Sequence, residues 1–280
     1  MRVEAVVVLY NKSVKESITL QNLRGLGDND ISICVVDNST SDYGNEKYCR
    51  DSGLLYINMR GNKGLSKAYN VAVKTSHGTD MFVLLDDDTE ITDDYFKVLK
   101  KDASQKEDID IFAPVIIGQD GIIYSPNEYH FLKNDLVLNK GDREIFQSRF
   151  NAISSCLAIR SKIFEDYEYD ERLFMDLVDQ YFCLRQRQLG RKFSTLNTRI
   201  HQNFSQRNSD IDVIKFWNRM KIRLKDIMTY ALLLGGGEYR VLGYIKCCGI
   251  CVQMGIHVKS PSFALKGLME STRLAVFLKL

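Results

Sequence analysis

The sequence predicts an α/β fold built on a doubly wound, mostly parallel sheet, followed by a C-terminal helical region. Three observations predict it. Short, valine-rich apolar runs alternate with helix-patterned stretches over the first hundred residues, as expected of strands buried on both faces and joined by helical crossovers. Two of those runs stop abruptly at carboxylates, Asp37 and Asp86, the kind of residue that collects beyond the carboxyl ends of such a sheet. From Ile211 onward the pattern turns helical, with Phe216, Met220 and Leu224 four residues apart and Lys215, Arg219, Lys221 and Arg223 between them. The division expected from this is 1–210 for the sheet-bearing part and 211–280 for the helical one.

In order along the chain, Val3 to Leu9 reads as a buried strand. Ser13 with Glu16 three residues later makes a capping box for a helix through about Leu26. Ile31 to Val36 and Leu54 to Ile57 read as strands, Gly64 to Thr75 as a helix, and Met81 to Leu85 as a further strand. A polar helix follows Thr92, then a strand from Ile109 to Pro114. Residues 118–149 are mixed and polar and predict no element. Ile153 to Ile159 is expected as a strand, Asp176 to Leu189 as a helix, and Lys192 to Leu196 as a short strand.

Composition narrows the class. With 280 residues, 45% hydrophobic and 26% charged, the chain can bury a substantial core and is not disordered. The seven cysteines are scattered, and the one C-x-x-C, Cys248 and Cys251, lacks the second pair or histidines of a zinc site. Reduced, mostly buried thiols and a cytoplasmic location are expected. Met1-Arg2-Val3-Glu4 leads straight into a strand without the apolar core of a signal peptide, and no run approaches the roughly 18 apolar residues of a membrane span.

The net charge of +2 is unevenly placed, since residues 211–280 hold 11 Lys+Arg against 4 Asp+Glu. That leaves 27 against 32 in residues 1–210, a basic tail on an acidic body. Such a tail predicts contact with an anionic membrane surface, peripherally and on the inner face; packing of its apolar helical faces on the body or in a homodimer is the alternative. No nucleic-acid-binding motif accompanies the charge.

The sharpest chemical signal is Asp86-Asp87-Asp88, directly after Leu84-Leu85. Three adjacent carboxylates repel one another unless a cation or protons compensate. If strand geometry continued, Asp86 and Asp88 would point one way and Asp87 the other. Two hard oxygen ligands on one side suit Mg²⁺ or Mn²⁺ shared with phosphates, while an acidic solvated turn is the bland alternative. Asp37 suits either a nucleobase or ribose contact or a turn cap. Gly61-Asn62-Lys63-Gly64 ahead of a helix suits either a pyrophosphate approach or a simple glycine turn. Asp176 and Asp179 share a helix face, either as acids favoured by the helix dipole or with one of them as a general base. His201 stands alone after Thr198-Arg199-Ile200.

The order of these features resembles a family. It runs Leu9-Tyr10-Asn11, then Val35-Val36-Asp37-Asn38-Ser39, Asn62 through Asn70, Leu84-Leu85-Asp86-Asp87-Asp88, and Tyr169 through Asp179. Over about residues 3–201 it is similar to the family-two inverting glycosyltransferases of GT-A fold, in particular their rhamnosyltransferase-like branch. The resemblance implies transfer of a sugar (rhamnose, galactofuranose or a hexose) from a UDP- or dTDP-sugar to a polysaccharide or lipid-linked glycan. It implies that Tyr10, Asn11, Asp37, Asn62, Gly64, Asp86 and Asp87 bind the nucleotide sugar. By the same resemblance Asp88, Asp86 and His201 hold the metal, and Asp179 is the catalytic base. The chain has three aspartates where that branch often carries Asp-Gln-Asp, and Gln180-Tyr181-Phe182 where it often has Glu-Trp. Two other readings remain at this point: a sugar-phosphate nucleotidyltransferase, whose glycine-rich basic loop residues 8–14 do not supply, and an inactive interaction protein of this fold, which would lose Asp88 or Asp179.

Overall fold

The computed structural model describes residues 1–280 except 29, 142 and 203–212. Its centre is β1 (Val3–Leu9), paired in parallel with β2 (Ile31–Asp37) on one side and β4 (Met81–Asp86) on the other. Side-chain alternation sends Val3, Ala5, Val7 and Leu9 into one apolar cluster and Val6 into a second, so the strand is buried from both faces. Tyr95, Phe96 and Leu99 of α4 (Asp93–Gln105) cover the first face, and Ala68, Tyr69 and Ala72 of α3 (Leu65–Thr75) cover the second. Double burial is why these strands read as unbroken apolar runs.

The sheet continues through β3 (Leu55–Asn58) beyond β2. Beyond β4 come β9 (Leu157–Arg160), β5 (Ile111–Gly118) and β10 (Phe193–Gln202), for an order β10-β5-β9-β4-β1-β2-β3. The short β6 (Ile123–Ser125) lies on β5, while β7 (Asn127–Glu128) and β8 (Phe150–Asn151) form a separate pair. The fold is thus the expected α/β architecture with a mostly parallel sheet. Its departure is β9, which runs antiparallel to both β4 and β5. Apolar periodicity carries no strand direction, so this reversal is not legible in the chain's pattern.

Other boundaries shift for local reasons. The capping box of Ser13 and Glu16 forms, but on one 3-10 turn, Val14–Glu16; Ser17 is extended there and caps a second helix, α1 (Ile18–Arg24). The helix α2 (Asn45–Asp51) was not expected; it is seven residues long and enters through Gly44 at φ 69° instead of through a side-chain cap. The strand expected over Lys192–Leu196 runs on to Gln202, with its register shifting between Thr195 and Arg199.

At the C-terminus, α6 (Val213–Leu234), α7 (Gly237–His257) and α8 (Pro261–Phe277) share a core of Met220, Leu224, Met228, Cys247, Cys251, Phe263 and Leu274. The expected boundary at 210/211 lies outside the described residues. The helices are joined to the sheet-bearing part, because Tyr230 of α6 belongs to the second core cluster of the body. All seven cysteines are free thiols, six of them buried. Among the described residues no helix is long and apolar enough to cross a membrane.

Candidate active site

The carboxyl ends of β1 and β4 open onto a cavity of about 750 Å³, within the range of small-molecule sites. Tyr10, Asn38, Asn62, Gly64, Asp86, Asp87, Asp88, Ser155, Met175, Asp179, Gln202 and Arg219 line it.

The turn bearing the three aspartates is built from β4 and held by α1. Thr19, fully buried, donates through Oγ1 to the Asp86 carbonyl at 2.6 Å and accepts from the Thr89 N–H at 2.8 Å. Ser17 Oγ donates to the Asp87 carbonyl at 2.8 Å. Because β4 ends at Asp86, the expected alternation of the three side chains stops, and all three reach the same cavity. Asp86 Oδ2 accepts from Ser155 Oγ and, at 2.9 Å, from Gln202 Nε2. Asp87 is drawn aside by Lys12 Nζ at 2.9 Å. Asp88 is the most exposed of the three. Loss of water on its protein side, then the charges of Asp86 and Asp87, push its carboxyl above the ordinary value.

Asp179 is the second residue of α5 (Val178–Gln188), which starts two residues later than expected, after Leu177 at φ 63°. Its Oδ1 accepts from the Gln180 N–H at 2.7 Å. Removal from water pushes it up to about 6; the Gln180 N–H opposes this, and Asp176 and Asp86 add to it. Asp176 does not serve the helix dipole, since it lies outside the helix and pairs with Arg219 of α6. The segment before α5 is held by Asp226 of α6, which is fully buried and accepts from the N–H groups of Phe174, Met175 and Asp176 at 3.0, 2.8 and 2.8 Å. From the other side the Phe174 carbonyl accepts from the Leu65 N–H at 2.6 Å.

Gly64 makes that approach possible. Its φ is 88°, and a Cβ there would stand 2.5 Å from the Phe174 carbonyl oxygen. Gly64→Ala is expected to destabilise the protein by about 1–3 kcal/mol, read by denaturant unfolding.

Of the residues singled out in the sequence, the structure brings Tyr10, Asn62, Gly64, Asp86, Asp87, Asp88 and Asp179 together. Three stand apart from the cavity. Asp37 is buried and directs its oxygens to the Ser39 N–H, Asn45 Nδ2 and Tyr56 Oη, at 2.9, 2.8 and 3.0 Å. Asn11 Oδ1 accepts from the Thr40 N–H and hydroxyl. His201 is exposed on β10, while the next residue, Gln202, faces Asp86, a consequence of the two-residue period of a strand. Sequence reasoning missed Lys12, Ser155, Gln202, Arg219 and Asp226. Lys12 adjoins the Tyr10-Asn11 motif and carried a signal; the others are common polar residues brought in by tertiary contact.

No group of three or more His, Cys, Asp or Glu side chains among the described residues forms a closed metal cage. Asp86 and Asp88 nonetheless fit a divalent cation that takes its remaining oxygens from a bound diphosphate, and the upward push on Asp88 from its neighbours is the repulsion such a cation relieves.

A mostly parallel sheet thus carries a carboxylate turn at its rim and a separate, half-buried aspartate in the same cavity. The chain belongs to glycosyl transferase family 2, whose model matches residues 4–168. It is 29% identical over 187 residues to the dTDP-rhamnosyl transferase RfbF of Shigella flexneri, a match covering 65% of this chain and 62% of that protein. Among solved structures it is similar to the mannosyltransferase PcManGT of Pyrobaculum calidifontis in complex with GDP-Man and Mn²⁺, at 11% identity and TM-score 0.61, over 99% of this chain and 87% of the other. TarS of S. aureus in complex with UDP matches at 18% identity and TM-score 0.52, over 81% of this chain and 66% of that one. At these identities the structures speak to the fold alone.

Proposed function

We propose that the chain is an inverting, metal-dependent rhamnosyltransferase that moves rhamnose from dTDP-rhamnose to a hydroxyl of a polysaccharide or lipid-linked glycan. The observation that carries the reading is Asp179, whose carboxyl is tuned to about 6, facing the same cavity as Asp86 and Asp88. The choice of dTDP-rhamnose is supported by the relative named as a dTDP-rhamnosyl transferase.

Asp179 takes the proton of the acceptor hydroxyl as that oxygen attacks the anomeric carbon from the face opposite the leaving diphosphate. A single displacement of this kind inverts the anomeric centre and needs one carboxylate, unlike the carboxyl pair of glycosidases. Asp88 and Asp86 would hold the divalent cation, Mn²⁺ or Mg²⁺, which when bound would offset the charge growing on the departing diphosphate. Ser155 and Gln202 both donate to Oδ2 of Asp86 and so fix that carboxylate at the cavity wall. Tyr10 and Asn62 line the donor side, and Asp37 and Asn11 act on it through the loops they hold.

The test is a panel of dTDP- and UDP-sugars assayed for donor turnover with and without chelator. Turnover of dTDP-rhamnose that stops in excess EDTA is the expected result. Asp88→Ala is expected to abolish metal-dependent binding of dTDP, measured calorimetrically. Full activity in EDTA would remove the metal from the mechanism, and turnover of only UDP-hexoses or UDP-galactofuranose would replace the donor.

A further inference from the structure

The hairpin of α7 and α8 uses its inner faces fully. Gly243 lies against α6, where a Cβ would stand 2.7 Å from the Ala231 Cβ, and Gly255 and Gly267 close the contact between α7 and α8 at 2.5 Å from Ala264 and 2.6 Å from Cys251. Among the described residues nothing covers the outer face. Val241, Ile245 and Val252 on α7 and Leu265, Met269 and Val276 on α8 are 47–66% exposed. In both helices these residues stand four and then seven positions apart, the spacing of a heptad stripe that packs against another helix. With Ile256 they expose roughly 700 Å², more than the largest apolar patch usual on a monomer and close to the ~800 Å² each partner gives to a stable interface.

We propose that this face is the interface of a two-fold dimer, with a second copy of the chain as its occupant. In an antiparallel pairing of α7 with its symmetry mate, the two ends of the helix meet. Exposed Glu238 of each copy then stands opposite exposed Lys259 of the other, so the charges match where the apolar stripes do. A bilayer fits the same face less well, because three of the nearby cations are engaged elsewhere and only Lys259, Lys266 and Lys279 of the hairpin's lysines stand exposed. Lys246 turns inward to the Phe131 carbonyl at 2.6 Å, Arg273 pairs with Glu270, and Arg240 donates to the Ala275 and Leu278 carbonyls. Lys221 and Lys225 belong to α6, which the hairpin covers with its opposite side.

Sedimentation equilibrium of the full chain tests the proposal. Wild type is expected to be a dimer. The double variant Ile245→Glu with Met269→Glu is expected to be a monomer at every concentration where wild type is dimeric, its folding verified by a cooperative thermal melt. Glu238→Lys and Lys259→Glu are each expected to weaken the dimer by about tenfold or more, and their combination to restore it. A monomeric wild type, or a dimer indifferent to the Ile245 and Met269 changes, overturns the proposal. So does a monomer that sediments with phosphatidylglycerol-containing vesicles, which would assign the face to a membrane. Failure of the combined charge reversal to restore the dimer overturns the antiparallel pairing.

Discussion

Asp179→Asn is expected to cut sugar transfer by about 10²–10⁴-fold while leaving donor and metal binding in place. The amide keeps the size and the Gln180 hydrogen bond of the carboxylate but cannot take the acceptor's proton. Donor affinity by calorimetry and product formation by chromatography separate the two effects, and near-normal transfer by the variant would refute the assignment. The wild-type kcat/KM should rise with pH along a limb centred near 6, the value to which burial pushes the carboxyl, and the variant should lose that limb. Stability should move the opposite way. Between the ordinary value of 3.8 and about 6 the folded protein binds more protons at this site than the unfolded chain, so its stability falls as pH rises through that window. Asp179→Asn removes the burden and is expected to raise the melting temperature at neutral pH, the usual sign of a residue kept for chemistry at some cost in stability.

Asp226→Ala is the second change with a large expected effect, of about 3–5 kcal/mol. It strips three backbone N–H groups of their acceptor in the segment that leads into Asp179. Burial pushes the Asp226 carboxyl upward while those three donors pull it down, so the charge is tolerated only because the donors are there. Urea unfolding should show a lowered midpoint at unchanged slope. Molecules that remain folded should still transfer poorly, since residues 174–176 would no longer be fixed. Asp176→Asn provides the contrast: it loosens the pair with Arg219 but leaves the backbone held, and a smaller loss is expected.

The strands of the sheet were legible because burial on both faces leaves an apolar run that few other elements produce, as in Val3–Leu9 and Met81–Leu85. The carboxylate turn was legible because three aspartates directly after such a run have few structural explanations. Asp87 was misdirected because its orientation depended on the strand continuing, and β4 ends one residue earlier. His201 and Gln202 differ by one step along β10, and nothing local fixes which of the two faces the site. Asp226 stood unnoticed among the basic residues of α6, since a buried acid on a helix looks like a surface acid until the loop it binds is seen. The basic excess of the tail was counted correctly but not its placement; several of those cations turn out to serve internal contacts.

The antiparallel strand β9 gives the chain a timetable. Residues 157–160 lie between β4 and β5, so two strands already present by residue 118 have no partner joining them until some forty residues later. As the protein emerges from the ribosome, β1 to β4 assemble from near neighbours, while β5 waits for its inner edge and then for β10 on its outer one. During that interval Ile111, Phe112 and Ala113 present an open, apolar strand edge, a surface prone to pair with other chains. Synthesis that stalls between residues 118 and 157 should therefore yield more aggregate than a stall after residue 202, when β9 and β10 have both been made.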